Sequence, residues 1–336
     1  MAALFERSQV GKREDLADYI SLIDAKDTPI VSMAPKGNKP GNTLLQWQAD
    51  SMPAAVTTGS IDGVDISSSD YENLNSGRAI LSNYIQVFQR AIRVSPLAVD
   101  VSVVAGLRDE LSGMVAKGIK LLKRDLEATV SSNNDAQADT GPSGVPYLTK
   151  ALGTWISTSG GSTLQVPSAY RTPSASIATT ATASLTETNI QAVLTSIYGQ
   201  TGQFKEYDGV VGTNLKRAFS NLLFTTTLSS TSTVGVTGAG GTAIRTFSRD
   251  ANSDAYIASV DIFEGDFGRI KLHPSLFMPD ADNGYVLDME LLELRYTNLP
   301  EVTELPDAGG GPARLIKAVA GLVVKNPLGL GKFDPA

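Results

Sequence analysis

The sequence predicts an α+β fold, on three observations. Apolar residues recur every three or four positions over residues 96–130, the period of a helix. Runs at 43–49 and 80–94 are alternating or rich in Ile, Val, Tyr and Phe, as strands are. Between 187 and 325, further helix-like and strand-like segments are mixed. At 336 residues the chain exceeds the ~100–200 of one domain, so two domains or one with long excursions are expected.

In chain order, the first 44 residues hold one short helical signal at 13–23, with Leu16, Ile20 and Ile23 at helical spacing. Breakers follow at Pro29, Pro35, Gly37, Pro40 and Gly41, so this segment reads as an arm. The strand at 43–49 alternates Leu45, Trp47 and Ala49. Residues 51–78 are dominated by Ser, Gly, Asp and Asn, a connection too long for a compact domain unless it has a task of its own. If residues 80–94 form one strand at ~3.3 Å per residue, they reach about 50 Å, and such a ribbon needs cover from outside the chain's own core.

Ser95 can cap the next helix and Pro96 suits its first turn. Gly106, Gly113 and Gly118 each cost about 1 kcal/mol relative to Ala, so this helix depends on packing, with Gly106 its weakest point. Residues 131–186 are rich in Ser, Thr, Asn, Gly and Pro, with one short apolar signal around Leu148–Ile156, and read as surface loop. A helix is expected at 187–198, ended by Gly199, then a strand at 209–211 and a helix capped by Thr213 with Leu215, Ala218, Phe219, Leu222 and Leu223 on one face. Strands are expected at 263–272, 286–296 and 313–325.

Composition excludes much chemistry. No cysteine is present, so disulfides, thiolate metal sites and cysteine nucleophiles are ruled out. A single histidine, His273, rules out a His cluster within one chain and leaves one base for a Ser-His-Asp triad. The 28 Lys and Arg against 35 Asp and Glu give a net charge of −7, the wrong sign for gripping DNA or an anionic membrane. Without a signal peptide or a long apolar stretch, the chain reads as soluble and cytoplasmic.

Candidate motifs are weak. Asp139-Thr140-Gly141 matches a short aspartic-protease signature but follows a polar run rather than an apolar strand, which favours a turn. Residues 238–243 fit G-x-G-x-x-A without a helix to follow. Asp280, Asp282, Asn283 and Gly284 begin like a calcium loop that is never completed. His273, before Pro274, reads as structural. Lys117, Lys120, Lys123 and Arg124 make a basic stripe on the long helix, offset by neighbouring carboxylates. No cofactor or metal is expected.

A set of motifs in order carries a resemblance: Arg13-Glu14-Asp15-Leu16, Asp27-Thr28-Pro29, the run from Asn42 to Asp50, Asn83-Tyr84-Ile85-Gln86, Leu122-Lys123-Arg124-Asp125-Leu126-Glu127, and Asp266-Phe267-Gly268-Arg269-Ile270-Lys271 with His273-Pro274. Together they resemble the major capsid proteins of tailed bacteriophages, in the family typified by a large podophage of Escherichia. That capsid fold is named for a Hong Kong coliphage and shared with encapsulins. The likeness spans nearly the whole chain, but residues 157–186 and 225–243 match no pattern of it.

The resemblance implies an N-terminal arm at 1–44, an extended loop built as a long β-hairpin at 45–94, a peripheral domain with a spine helix at 95–184, an axial domain at 185–299, and at 300–336 a strand returning to the peripheral domain plus a tail. It implies a non-enzymatic head protein forming pentamers and hexamers of an icosahedral shell in the virion, assembled in the host cytoplasm. Partners would be other copies of the chain, packaged double-stranded DNA held by weak nonspecific contact, portal and scaffolding proteins, and a decoration protein where one exists. No membrane is implied. Subunit-interface candidates are Arg13, Glu14, Asp15, Trp47, Arg78, Arg90 and Arg93, and Lys117, Lys120, Lys123 and Arg124 would face the lumen. Some relatives weld their shells through a lysine on the extended loop. Here no lysine lies between Lys39 and Lys117, so a shell without covalent links is expected. An encapsulin-like compartment is the alternative, and a dimeric aspartic protease built on Asp139 a weaker one.

Overall fold

The computed structural model describes residues 28–68, 70–101, 110–142, 144–222, 260–307 and 309–335. The expected helix at 13–23, the weak point at Gly106, Leu223 and the glycine-rich 238–243 lie outside them. The helices are α1 (Pro29–Met33), α2 (Pro96–Val101), α3 (Glu110–Ser131), α4 (Leu152–Trp155), α5 (Glu187–Thr201) and α6 (Thr213–Leu222). The strands are β1 (Leu44–Ala49), β2 (Ala79–Tyr84), β3 (Gln86–Arg93), β4 (Ile177–Ala178), β5 (Glu206–Val211), β6 (Ile262–Gly265), β7 (Gly268–Pro274), β8 (Gly284–Leu287), β9 (Leu292–Leu305), β10 (Ala313–Val324) and β11 (Gly331–Phe333).

Three sheets result. β1 and β2 form an antiparallel pair, β3-β10-β9 an antiparallel three-stranded sheet, and β4-β11-β8-β5-β7-β6 a mixed six-stranded sheet. The single strand expected over 80–94 is instead two. The chain turns out of one sheet and into another at Ile85, which is buried with Leu45 and Val323. Only the first half belongs to the hairpin, and β3 finds its cover inside the chain, on β10 and beneath α3.

α3 runs 22 residues, about 33 Å at ~1.5 Å per residue. It buries Leu122, Leu126 and Val130 against the three-stranded sheet. Gly118 explains itself here. A Cβ at that position would collide with Cδ1 of Ile316 on β10, so the missing side chain lets helix and sheet approach closely.

The reading of 131–186 as surface loop is overturned. Ala151, Leu152, Trp155, Ile156 and Tyr170 are fully buried, and Val166, Thr172 and Ser176 nearly so. Short helical turns at Leu152–Trp155, Ser168–Tyr170 and Ser174–Ser176 fold the segment back on itself. Near-absence of charge, with Arg171 alone over 157–186, permits this, and even Arg171 turns its Nε to the Val166 carbonyl at 2.9 Å.

The six-stranded sheet is covered by α5 and α6, whose Ile190, Val193, Leu194, Ile197, Leu215 and Phe219 pack on Tyr207, Ile270, Val286 and Phe333. α5 passes Gly199 and ends at Gly202, which takes the left-handed conformation (φ 65°) that closes a helix. Strand pairing crosses the expected divisions. β4 and β11 join the six-stranded sheet, while β9 pairs with β10 in the three-stranded one. Tyr285 on β8 ties the two halves, donating to the Ser131 carbonyl at the end of α3 at 2.7 Å.

Candidate subunit interface

The hairpin of β1 and β2 is rooted by side chains that sequence spacing leaves far apart. Alternation buries Leu45 and Ala49 and turns Gln46 and Gln48 to solvent. Trp47 stays half-buried: its indole N–H donates to the Val324 carbonyl at 3.0 Å, and its ring meets that of Trp155 at 5.6 Å. On β2, Asn83 is fully buried. Its amide nitrogen reaches Thr149 Oγ1 at 3.0 Å and the carbonyls of Lys150 and Leu322 at 3.2 and 2.7 Å, while its oxygen accepts the Lys150 and Tyr84 N–H groups. One amide thus closes a junction between hairpin, 131–186 segment and β10, at no unsatisfied cost.

Behind this junction lies a buried lysine. Lys150 Nζ donates to the carbonyls of Gly160 and Leu164 at 3.0 and 2.8 Å, sits 5.0 Å from the Trp155 ring centre and lies 3.6 Å from Asp135 Oδ1. Burial pushes its pKa down, against the pull of the Asp135 carboxylate. Burial works upward on Asp135 too, but bonds from Thr163, Ser162 and Ala136 outweigh it and hold the carboxyl below its ordinary value.

Beyond the root, the described residues of 50–78 form no strand ladder with other described residues. The expected long hairpin is therefore a short ladder carrying an extended loop. Its mouth is held by Arg78, which donates through Nε and Nη2 to Asp50 Oδ2 at 3.2 and 3.1 Å, and by Tyr170, whose hydroxyl donates to the Gly77 carbonyl at 2.6 Å. Past the mouth, Met52, Val56, Ile61, Val64, Ile66, Tyr71 and Leu74 all project into solvent, from 61% exposed at Val64 to 95% at Met52. Scattered single apolar residues on a surface mean little, but seven on one protrusion make a large exposed apolar face.

A second constellation joins the start of the described chain to the spine helix. Glu127 is fully buried on α3, and its two carboxylate oxygens accept the backbone N–H groups of Ile30 and Val31 at 3.0 and 2.8 Å. Burial pushes the carboxyl pKa up and these two bonds pull it back. Ile30 and Val31, which directly follow the motif Asp27-Thr28-Pro29, are thus tied to Glu127 of the motif ending Leu126-Glu127, nearly a hundred residues on. Two residues back, on another side of the helix, Asp125 takes a bidentate pair from Arg90 on β3, at 2.8 and 2.7 Å.

Of the candidates named from sequence, Trp47, Arg78 and Arg90 are thus partnered inside their own chain, and exposed Arg93 lies against Gly310. Lys117, Lys120 and Lys123 stand exposed along α3, while half-buried Arg124 lies over the Phe277 ring at 5.3 Å. Arg13, Glu14 and Asp15 fall outside the described residues. Asp139 sits in a turn, its side chain accepting the Gly141 N–H at 2.7 Å. Asp280 likewise closes a turn, with its carbonyl accepting the Asn283 N–H at 3.2 Å. His273, at the end of β7, pairs with Asp208 at 3.0 Å. Among the described residues no cluster of His, Asp and Glu suits a metal ion, and no helix is long and apolar enough to cross a membrane.

The sequence profile of the SU10 major capsid proteins matches residues 4–335. The chain belongs to that family. This major capsid protein is 32% identical over 143 residues to the major capsid protein of Escherichia phage Phieco32, a match covering 43% of this chain and 38% of that one. Solved structures extend the likeness over the whole fold. A chain from the cyanophage A-1(L) capsid asymmetric unit aligns with a TM-score of 0.65 at 12% identity, over 96% of both chains. One from the capsid of a native GTA particle aligns with 0.59 at 12%, over 97% of this chain and 95% of that one. One from Mycobacterium phage Adephagia aligns with 0.59 at 13%, over 99% of each. The α+β architecture of this capsid protein is therefore the phage-capsid fold.

Proposed function

We propose that the chain assembles with copies of itself, as pentamers and hexamers, into an icosahedral shell around double-stranded DNA. The single observation that carries this is the protrusion at 50–78, a loop held firmly at its root and displaying seven large apolar side chains that no described residue covers. In a closed symmetric assembly each such loop is covered by the next copy, and many modest contacts repeated by symmetry hold strongly. Residues 1–44 then act as the arm, 45–94 as the extended loop and its anchoring strand, and the three- and six-stranded halves as the peripheral and axial parts.

The role is structural rather than catalytic, and the net charge of −7 suits a wall that contains DNA without adhering to it. The exposed Lys117, Lys120 and Lys123 are the candidates for weak contact with the packaged phosphates. Portal, scaffolding and decoration proteins would meet the outer and inner faces of the finished wall, and assembly would take place in the host cytoplasm.

The test is assembly of Met52→Ser, Ile61→Ser and Ile66→Ser combined, expressed with the phage's assembly factors. Wild-type chain should give closed particles that package nucleic acid, and the triple variant should give soluble, folded subunits without particles. Particles of normal yield from the variant would overturn the reading, and wild-type shells holding a protein cargo instead of a genome would favour an encapsulin-like compartment. Since the extended loop carries no lysine and the chain no cysteine, boiled particles should run as one band at the chain mass.

A further inference from the structure

Lys150 is fully buried, and its ammonium is ringed by acceptors. The carbonyls of Gly160 and Leu164 accept from it at 3.0 and 2.8 Å, Asp135 Oδ1 lies 3.6 Å away, and the Trp155 ring centre stands at 5.0 Å. Two carbonyls, one carboxylate oxygen and an aromatic face are together the ligand set of a single monovalent cation. A calcium ion would draw its oxygens in to about 2.3–2.6 Å and would need more of them.

The loop that supplies the carbonyls is shaped around this point. Gly160, Gly161 and Leu164 have positive φ (69°, 86° and 47°), and among the described residues Leu164 is the one non-glycine that does. That conformation is uncommon outside glycine and persists where the surroundings hold it. A Cβ on Gly161 would stand 2.9 Å from Lys150 Nζ and 2.7 Å from Asp135 Oδ1, so glycine is what admits the backbone this close to the ion pair. The peptide groups of the loop are also sorted by charge. Its carbonyls at 160 and 164 turn to the ammonium, while the N–H groups of Ser162 and Thr163 turn to Asp135 Oδ2, at 2.6 and 3.0 Å. The Val166 N–H then closes the loop onto the Gly160 carbonyl at 3.0 Å.

We infer that residues 160–164, with Asp135 and Trp155, form a monovalent-cation site whose cation the chain supplies itself as the Lys150 ammonium, and that the loop keeps its shape only while a cation sits there. The effect reaches the protrusion at 50–78 from two sides. Tyr170, four residues past Val166, holds the Gly77 carbonyl at its mouth, and the Lys150 backbone N–H is bonded to Asn83 at its root. The site belongs to the single subunit and stands whether or not the chain forms shells.

Hydrogen exchange on unassembled, full-length subunits tests this. Lys150→Met keeps most of the aliphatic stem and leaves the place of the cation empty. The N–H groups of Ser162, Thr163 and Val166 should then exchange at least tenfold faster, while those of β10 keep their wild-type rates. Unchanged exchange at the three would overturn the inference. Equal acceleration throughout the chain would overturn it as well, by making Lys150 a support of the core at large. Lys150→Ala gives a second readout, because n-propylammonium replaces the side-chain atoms lost beyond Cβ. With n-propylammonium chloride the three groups should return to within about threefold of their wild-type rates, or a variant that does not fold alone should fold. Tetramethylammonium chloride, which has no N–H to donate, should do neither. Failure of n-propylammonium to do either, or equal rescue by tetramethylammonium, would overturn the site.

Discussion

Residues 50–78 and 131–186 look alike as sequence. Both are rich in Ser, Thr, Gly and Asn, both lack long helical or alternating patterns, and both carry a handful of apolar residues. In the fold they are opposites. The later segment sinks Trp155, Ile156 and Tyr170 into the main core and fixes itself with Asp135, Lys150 and Asn83, whereas the earlier one holds Met52, Ile61 and Tyr71 out in solvent. Irregular backbone is thus no guide to burial. What separates the two is whether polar groups along the segment find fixed partners, because only then can the backbone enter a core without leaving donors and acceptors unpaired.

The strongest way to break this contrast is to truncate one apolar side chain in each region. Trp155→Ala should cost about 3–5 kcal/mol, as for a fully buried aromatic, and lower the melting temperature of the unassembled chain by several degrees. Ile61→Ala should leave it within ~0.5 kcal/mol, the usual range for an exposed site. A comparable loss from Ile61→Ala in unassembled subunits would show that the loop packs on its own chain after all.

Next in size is Asn83→Leu, which keeps the branched heavy-atom shape and removes the amide. It strands the Lys150 N–H and leaves the Leu322 carbonyl without its side-chain donor, so about 3 kcal/mol is expected at ~1–3 per buried group left unpaired. Chemical denaturation would read it. A loss under 1 kcal/mol would mean that water replaces the amide and that the junction is looser than its distances imply.

Glu127 sharpens the comparison through pH. Its folded-state pKa lies above the ordinary 4.5, so its contribution to stability is fully present below 4.5 and declines as pH rises through the raised value. Glu127→Gln cannot titrate. The melting temperature of wild type relative to this variant should therefore be most favourable near pH 4 and fall toward pH 7, and a difference that grows with pH would contradict it. The smallest effect belongs to Arg78→Ala. Its pair with Asp50 is about half exposed on both sides, so less than ~1 kcal/mol is expected and less still in high salt.

Legibility followed the same division. The first hairpin strand, α3, the face of α5 and the strand of β10 could be read because their apolar spacing matches one period. The break at Ile85 could not, since residues on either side are equally strand-forming and only the choice of partner, β1 or β10, changes there. Burial of 131–186 was hidden because composition reports what a segment can do in isolation, while Trp155 and Tyr170 are placed by contacts with residues far along the chain. Asn83 and Glu127 stood inside the quoted motifs, yet nothing local marks an amide or a carboxylate as buried. The exposed apolar residues of 50–78 were present in the sequence too, and a count of large apolar side chains in that otherwise polar connection would have singled it out.

The rooting of the hairpin also has an order in time. Asn83 needs the Leu322 carbonyl and Trp47 the Val324 carbonyl, partners 239 and 277 residues further on. At ~5–20 residues per second of synthesis, the hairpin leaves the ribosome many seconds before either partner exists. During that interval its two strands are only a marginal pair. The rigid presentation of the apolar loop therefore arrives late, once translation has passed Val324. A prematurely terminated chain lacks the anchor and offers a slack loop to its neighbours, so a ribosome that stops early produces a poor competitor for a place among finished copies.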